Sequence, residues 1–177
     1  MNTSIVDLLE AYPISEKETT PNYQIYCDMD GVLCDFERQW ARVNKLPFSK
    51  FSSLNMHDRW EKVRQHGSYW ETIPWKGDGR TLWNYIKKHD VRILSAYSQS
   101  DPNCLPGKIK WLSKNVSLPR SKQHIVMRSQ KQLYAKKNTI LIDDYAKNIR
   151  EFKAKGGEGI RHKTASQTIS ELKKLGL

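Results

Sequence analysis

Asp28 and Asp30 stand one residue apart at the end of an apolar run, in the stretch QIYCDMDGVLCDF at residues 24–36. Gly31 follows, and a third acid, Asp35, closes the stretch. Two carboxylates this close repel each other, so their placement needs a reason. An Asp-Gly pair is an ordinary turn signal at the end of a strand. The other reading is a site. One intervening residue lets both side chains of an extended chain point to the same side, and paired carboxylates can do acid–base work or hold a cation. With no histidine nearby, such hard oxygen ligands favour Mg²⁺ over zinc.

The elements that must position these acids settle the choice. Strands are expected at 23–27, 91–95, 124–128, 139–142 and 159–161. Helices are expected at 36–44, 80–89, 107–115, 145–154 and 167–175, with Asp35 as N-cap of the first. Residues 1–21 read as a short helix and a polar connector, and 46–79 lack clear periodicity but hold Trp60, Tyr69, Trp70 and Trp75. Strands alternating with helices imply an α/β fold, a parallel Rossmann-like sheet with helices on both faces. Such sheets bind ligands at the carboxyl ends of their strands. Asp28 and Asp30 fall at one such end, Ser95 at a second, Asp143 and Asp144 at a third, and Lys108 starts a helix between the last two. Alone, the serine is a turn residue, the lysine a solvated surface group and the Asp143-Asp144 pair a helix cap. As an ordered set at strand ends they define a site.

Composition bounds the rest. A chain of 177 residues, 38% hydrophobic and 28% charged, suits one soluble domain with a real core. No apolar run is long enough for a membrane helix, and the N-terminus MNTSIVDLLEAY lacks the basic start of a secretory signal. Three cysteines, Cys27, Cys34 and Cys104, are an odd number without metal-type spacing, which predicts reduced thiols in a cytoplasmic protein. Charge is uneven: residues 1–103 hold 13 Lys+Arg against 14 Asp+Glu, whereas 104–177 hold 17 against 5, for a net charge of +11. A basic half suggests an anionic partner such as a phosphate, a nucleotide or nucleic acid, or else a solvated lysine-rich surface.

DMDGVLCDF, the Ser95 that follows VRIL, Lys108 in GKIKWL, and LIDD at 141–144 resemble the four motifs of the haloacid dehalogenase superfamily of phosphohydrolases. Within it, Phe36-Glu37 after the first motif and Lys108 three residues before Trp111 are similar to the 5'(3')-deoxyribonucleotidase group. Tyr145 and Ala96-Tyr97 depart from that group, which tends to have arginine and Ser-Pro there.

The resemblance implies a chemistry. Asp28 would attack phosphorus, and Asp30 would protonate the leaving group and then activate water. Mg²⁺ would be held by the Asp28 carboxylate, the Asp30 carbonyl and Asp143. Ser95 and Lys108 would bind the phosphoryl group, while Asp144 would orient the metal shell or Lys108. Asp30 separates phosphatases from dehalogenases, which lack it. Residues 22–36 and 80–177 would form the core, and 37–79 a small helical cap inserted after the first strand, with Phe36, Trp60 and Trp70 as candidate base-stacking rings. The aromatics could equally be the cap's own core. A nucleoside monophosphate phosphatase is the expected function. A nucleic-acid end (3'-) phosphatase, using the basic 104–177 half as a backbone track, is the alternative, and a non-catalytic binding module of the same fold is a third reading.

Overall fold

The computed structural model describes residues 22–177. The expected short helix and connector at 1–21 lie outside the described residues. Five strands, β1 (Gln24–Cys27), β2 (Asp90–Ala96), β3 (Gln123–Val126), β4 (Thr139–Asp143) and β5 (Glu158–Arg161), form one parallel sheet in the order β3-β2-β1-β4-β5. Among the described residues seven α-helices accompany them: α1 (Phe36–Asn44), α2 (Ser49–Ser53), α3 (Met56–Arg64), α4 (Gly79–Ile86), α5 (Cys104–Asn115), α6 (Ala146–Ala154) and α7 (Ala165–Lys174). Each strand and helix expected within residues 22–177 is present, with ends shifted by a few residues.

The strands read as near-continuous apolar runs because both faces of the sheet are covered. On one face Ile25, Cys27, Val91, Ile93, Ile140 and Ile142 pack with Leu82, Ile86, Trp111, Leu112 and Leu172 from α4, α5 and α7. On the other, Tyr26, Leu94 and Leu141 pack with Ile149 and Phe152 of α6. The period-two alternation of the strands thus feeds two layers of helix. Cys27, Cys34 and Cys104 are buried free thiols, and Cys27 belongs to the core. None of the described helices is long and apolar enough to cross a membrane.

Strand order reverses around β1, which lies between β2 and β4. That switch opens a crevice at the carboxyl ends of the central strands. Over it lies the helical insertion between β1 and α4: α1, α2, α3 and a 3₁₀ turn at Trp70–Thr72. Asp35 caps α1 as expected, its side chain accepting from the Arg38 N–H at 2.9 Å. The insertion is tied back to the turn after β1, because the Asp35 N–H donates to the Pro74 carbonyl and the Lys76 N–H to the Leu33 carbonyl.

Candidate active site

β1 delivers Asp28 to the crevice, and the Asp28 N–H is itself held by the Ile142 carbonyl of β4 at 2.9 Å. The chain then turns at once. Gly31 takes a positive φ of 76°, and a Cβ there would lie 2.1 Å from Asp144 Oδ2, so only glycine allows the first acidic pair to approach the second. Asp143 ends β4 and is fully buried, whereas Asp144 reaches solvent. One carboxylate oxygen from each of Asp28, Asp143 and Asp144 lies within 4.8 Å of the others.

Two lysines neutralise this cluster. Lys108 is fully buried, and its ammonium spends all three protons: on Asp30 Oδ2 at 2.6 Å, Ser95 Oγ at 3.0 Å and the Ala96 carbonyl at 2.6 Å. The structure therefore joins Asp30, Ser95 and Lys108 into one network, as the strand-end reading expects. Asp144 is not among the partners of Lys108; it stands instead beside Asp28 and Asp143. The second lysine, Lys131, carries no signal of its own in the sequence, where it is one of the 17 cations of the basic 104–177 half, taken as a solvated surface or a track for an anionic partner. The structure corrects that. A 3₁₀ segment at Arg128–Tyr134, just past β3, drops Lys131 into the crevice, where its ammonium is 2.9 Å from Asp28 Oδ2 and 2.7 Å from Asp143 Oδ2. Its neighbours Lys136, Lys137, Lys147, Lys153 and Lys155 are exposed.

The electrostatics follow from this arrangement. Burial pushes the Asp28 carboxyl up, but the charges of Lys131 and Lys108 and hydrogen bonds from Lys131 and Ser95 outweigh it and hold the group below its ordinary value. Burial also opposes charge on Lys131 and Lys108, yet the facing carboxylates raise both above the usual lysine value, so both are ammonium ions at neutral pH. Asp143 is pushed up to about 6 by burial and by the Asp28 charge, against the pull of Lys131 and Asn148. Asp144 is pushed up to about 7 by the protein packed on its inner side and by the charges of Asp28 and Asp143.

The acidic set fits a hard divalent cation. Asp28 Oδ1 accepts the Met29 N–H and Asp143 Oδ1 the Tyr145 N–H, while Lys131 takes the Oδ2 atoms, which leaves carboxylate lone pairs for a cation. Mg²⁺ would be held by Asp28 and Asp143, as the sequence reading has it, and Asp144, expected there only to orient the metal shell, stands close enough to join them beside the expected Asp30 carbonyl; the ion would supply charge neutralisation to a reacting phosphoryl group.

Asp30 completes the site. Its Oδ2 is fixed by Lys108, while its Oδ1 is buried and, among the described residues, without a hydrogen-bond partner. Outward from the acids opens a cavity of about 570 Å³, lined by Asp28, Asp30, Phe36, Trp60, Trp70 and Lys76, with Asp35, Glu37 and Tyr145 also on its walls. Phe36 is the centre of an aromatic cluster, its ring centroid 5.5 Å from Tyr69, 5.7 Å from Phe51, 5.9 Å from Trp70 and 6.3 Å from Trp60. Trp70 is pinned by its indole N–H to Asp101 at 2.6 Å, and the Lys108 ammonium lies 5.2 Å from its ring.

Comparison with known proteins agrees with this geometry at the level of the fold. No family model and no curated protein matches the chain. Solved structures do. A haloacid dehalogenase-like family hydrolase from Xanthomonas campestris superposes with a TM-score of 0.61 at 11% identity, over 92% of this chain and 95% of that one. A hydrolase from Streptococcus pneumoniae TIGR4 matches with a TM-score of 0.53 at 12% identity, over 86% and 99%. A HAD family hydrolase from Deinococcus radiodurans R1, with bound phosphate and sodium, matches with a TM-score of 0.53 at 12% identity, over 89% of each chain. The chain thus has the fold of the haloacid dehalogenase-like hydrolases.

Proposed function

We propose that the chain is a Mg²⁺-dependent phosphomonoester hydrolase that works through an aspartyl-phosphate, with a nucleoside monophosphate as substrate. The observation that carries the reading is the division of labour between the paired acids. Asp28 is held ionised by two ammonium groups, while Asp30, two residues on, is clamped through one oxygen and offers the other, buried and unpartnered, beside it. A binding module has no use for that asymmetry.

In the first step an Asp28 oxygen attacks phosphorus, and the bond from phosphorus to the ester oxygen breaks as Asp30 gives that oxygen its proton. In the second, Asp30 takes a proton from water, the hydroxide attacks phosphorus and Asp28 leaves as carboxylate. Lys108 turns one proton from its present partners to a phosphoryl oxygen where charge builds up, Ser95 binds another such oxygen, and Lys131 keeps Asp28 and Asp143 from repelling each other. The ring cluster supports a flat leaving group, which Phe36 or Trp60 would stack. Asp35 and Glu37 on the cavity wall favour a single nucleotide over a polyanionic strand.

A panel of nucleoside monophosphates, p-nitrophenyl phosphate and a 3'-phosphorylated oligonucleotide, assayed with Mg²⁺ and with EDTA, tests the reading. Turnover of the monophosphates that vanishes with EDTA and returns with Mg²⁺ is expected. Full activity after exhaustive chelation, or no phosphate release from any member, overturns it.

A further inference from the structure

A second cavity, of about 540 Å³, lies between α4 and the chain leaving α5, and the acids of the candidate active site take no part in it. Three cations line it, Arg80, Lys87 and Lys88, and no carboxylate does. Arg80 and Asn84 share a face of α4, one turn apart, and Lys87 and Lys88 follow directly on its C-terminal end. Lys110 pairs with Glu71 and Lys122 with Asp90, whereas Lys76 and Lys114, like the cavity's cations, form no ion pair among the described residues. Among the described residues, Arg80, Lys87 and Lys88 form no ion pair. Two flat rings complete the lining. Trp75 is fixed by its indole N–H to Asn115 at 3.0 Å and carries the Arg80 guanidinium 5.3 Å from its ring centroid, and Trp83 comes from α4 itself.

From this lining we infer that the cavity is a binding site for a nucleotide: an anion that carries a flat ring. The volume suits a ligand of that size. Cations unpaired among the described residues supply attraction for phosphate, and the half-buried Trp75 ring, already carrying Arg80, supplies apolar surface that a phosphate alone would not need. The ligand is therefore either a free nucleotide or a nucleotide within a strand. The inference stands on the lining of this cavity and not on the catalytic reading.

The test measures binding without turnover, in the full chain. Asp28→Asn, alone and combined with Lys87→Glu and Lys88→Glu, is titrated calorimetrically with thymidine 5'-monophosphate, inorganic phosphate and a 3'-phosphorylated hexathymidylate, with circular dichroism as the check on folding. A free-nucleotide site predicts one fewer equivalent of thymidine monophosphate in the charge-reversed variant. A strand site predicts one hexanucleotide per chain. Charge reversal then weakens it about tenfold or more and flattens the slope of log affinity against log salt by about 1.4, at ~0.7 per phosphate contact. The milder Lys87→Gln, Lys88→Gln pair should move the same quantities in the same direction. Unchanged stoichiometry together with unchanged hexanucleotide affinity and slope overturns the site. Inorganic phosphate binding as tightly as the nucleotide overturns the assignment of ligand class. Because these readouts need no hydrolysis, they stand even where no phosphatase activity is found.

Discussion

The Lys131 ammonium lies 2.9 Å from the Asp28 carboxylate, and the same nitrogen is 2.7 Å from Asp143. One buried cation thus holds together the proposed nucleophile and the acid that ends β4. Replacing it with methionine leaves two buried carboxylates facing each other. Removing one partner of a buried pair costs about 3–5 kcal/mol, so Lys131→Met should melt far below the wild type at pH 7.5. The sign with pH follows from the partners. Asp28 is held below its ordinary value by the lysines; it therefore stabilises the fold above the usual Asp pKa of about 3.9 and loses that contribution as pH falls. In Lys131→Met the support is gone, and protonation of the crowded acids becomes favourable. The gap in melting temperature between the two proteins should narrow from pH 7.5 to pH 5. An equal melting temperature at pH 7.5 would show that Lys131 is not structural.

Asp28→Asn keeps the shape of the side chain and removes the charged oxygen. Loss of at least ~10³ in kcat is expected, in line with other removals of a catalytic group, with the fold retained by circular dichroism. Turnover of p-nitrophenyl phosphate near the wild-type rate by folded Asp28→Asn would end the aspartyl-phosphate mechanism.

Much of this site was legible in the sequence, for a physical reason. Asp28, Asp30, Ser95, Asp143 and Asp144 sit at or just past apolar runs, and a parallel sheet sends all such ends to one edge. Lys108 was legible because Trp111 follows it on the same helix. Lys131 was not. It lies in a 3₁₀ segment without apolar periodicity, between Arg128 and two exposed lysines, Lys136 and Lys137, and nothing local separates a buried ammonium from a solvated one. The aromatic insertion was likewise opaque, because the register of short helices such as Ser49–Ser53 is fixed by tertiary packing around Phe36 and not by their own pattern. The second cavity was not legible either, because nothing local to Arg80, Lys87 and Lys88 shows that the chain leaving α5 comes to lie beside them.

Metal binding should depend on pH in a defined direction. Asp143 is raised to about 6 and Asp144 to about 7. For an acid raised in the folded state, stability without metal falls as pH rises from the unfolded value to the folded one, because only the unfolded chain gives up the proton there. A cation reverses this by binding the ionised forms, so Mg²⁺ competes with protons below pH ~7. The rise in melting temperature on adding Mg²⁺ should be small at pH 5 and large at pH 8. Equal shifts at both values would mean that Asp143 and Asp144 do not hold the ion.

Gly31 couples the two acidic pairs. With a φ of 76° and a Cβ position 2.1 Å from Asp144 Oδ2, Gly31→Ala must push Asp144 aside or straighten the turn. Left-handed backbone costs an alanine roughly 1–2 kcal/mol, an effect that stability measurements will register. The larger effect should fall on the metal: the midpoint of Mg²⁺ activation should rise at least tenfold, as for disruption of residues that orient metal ligands. A variant with lowered stability and an unshifted Mg²⁺ midpoint would place Asp144 outside the metal site.

The aromatic insertion faces a sharper choice, since its rings touch one another as well as the cavity. Phe36 packs on Phe48, Phe51, Trp60, Tyr69 and Trp70, yet Phe36, Trp60 and Trp70 also line the wall opposite Asp28. Trp70 is nearly fully buried and tied to Asp101, which suits a fixed wall. Phe36 and Trp60 are only partly buried, which leaves ring surface for a ligand. Stacking on a base is worth about 1–3 kcal/mol. Phe36→Leu or Trp60→Leu should therefore raise KM for a nucleoside monophosphate about 5- to 150-fold, with little change for p-nitrophenyl phosphate, whose small ring sits close to the phosphorus. Melting curves separate the two roles. A stacking ring changes KM for the nucleotide and leaves the melting temperature within a few degrees. A core ring lowers the melting temperature and damages both substrates alike, which would remove the nucleobase from the proposed substrate.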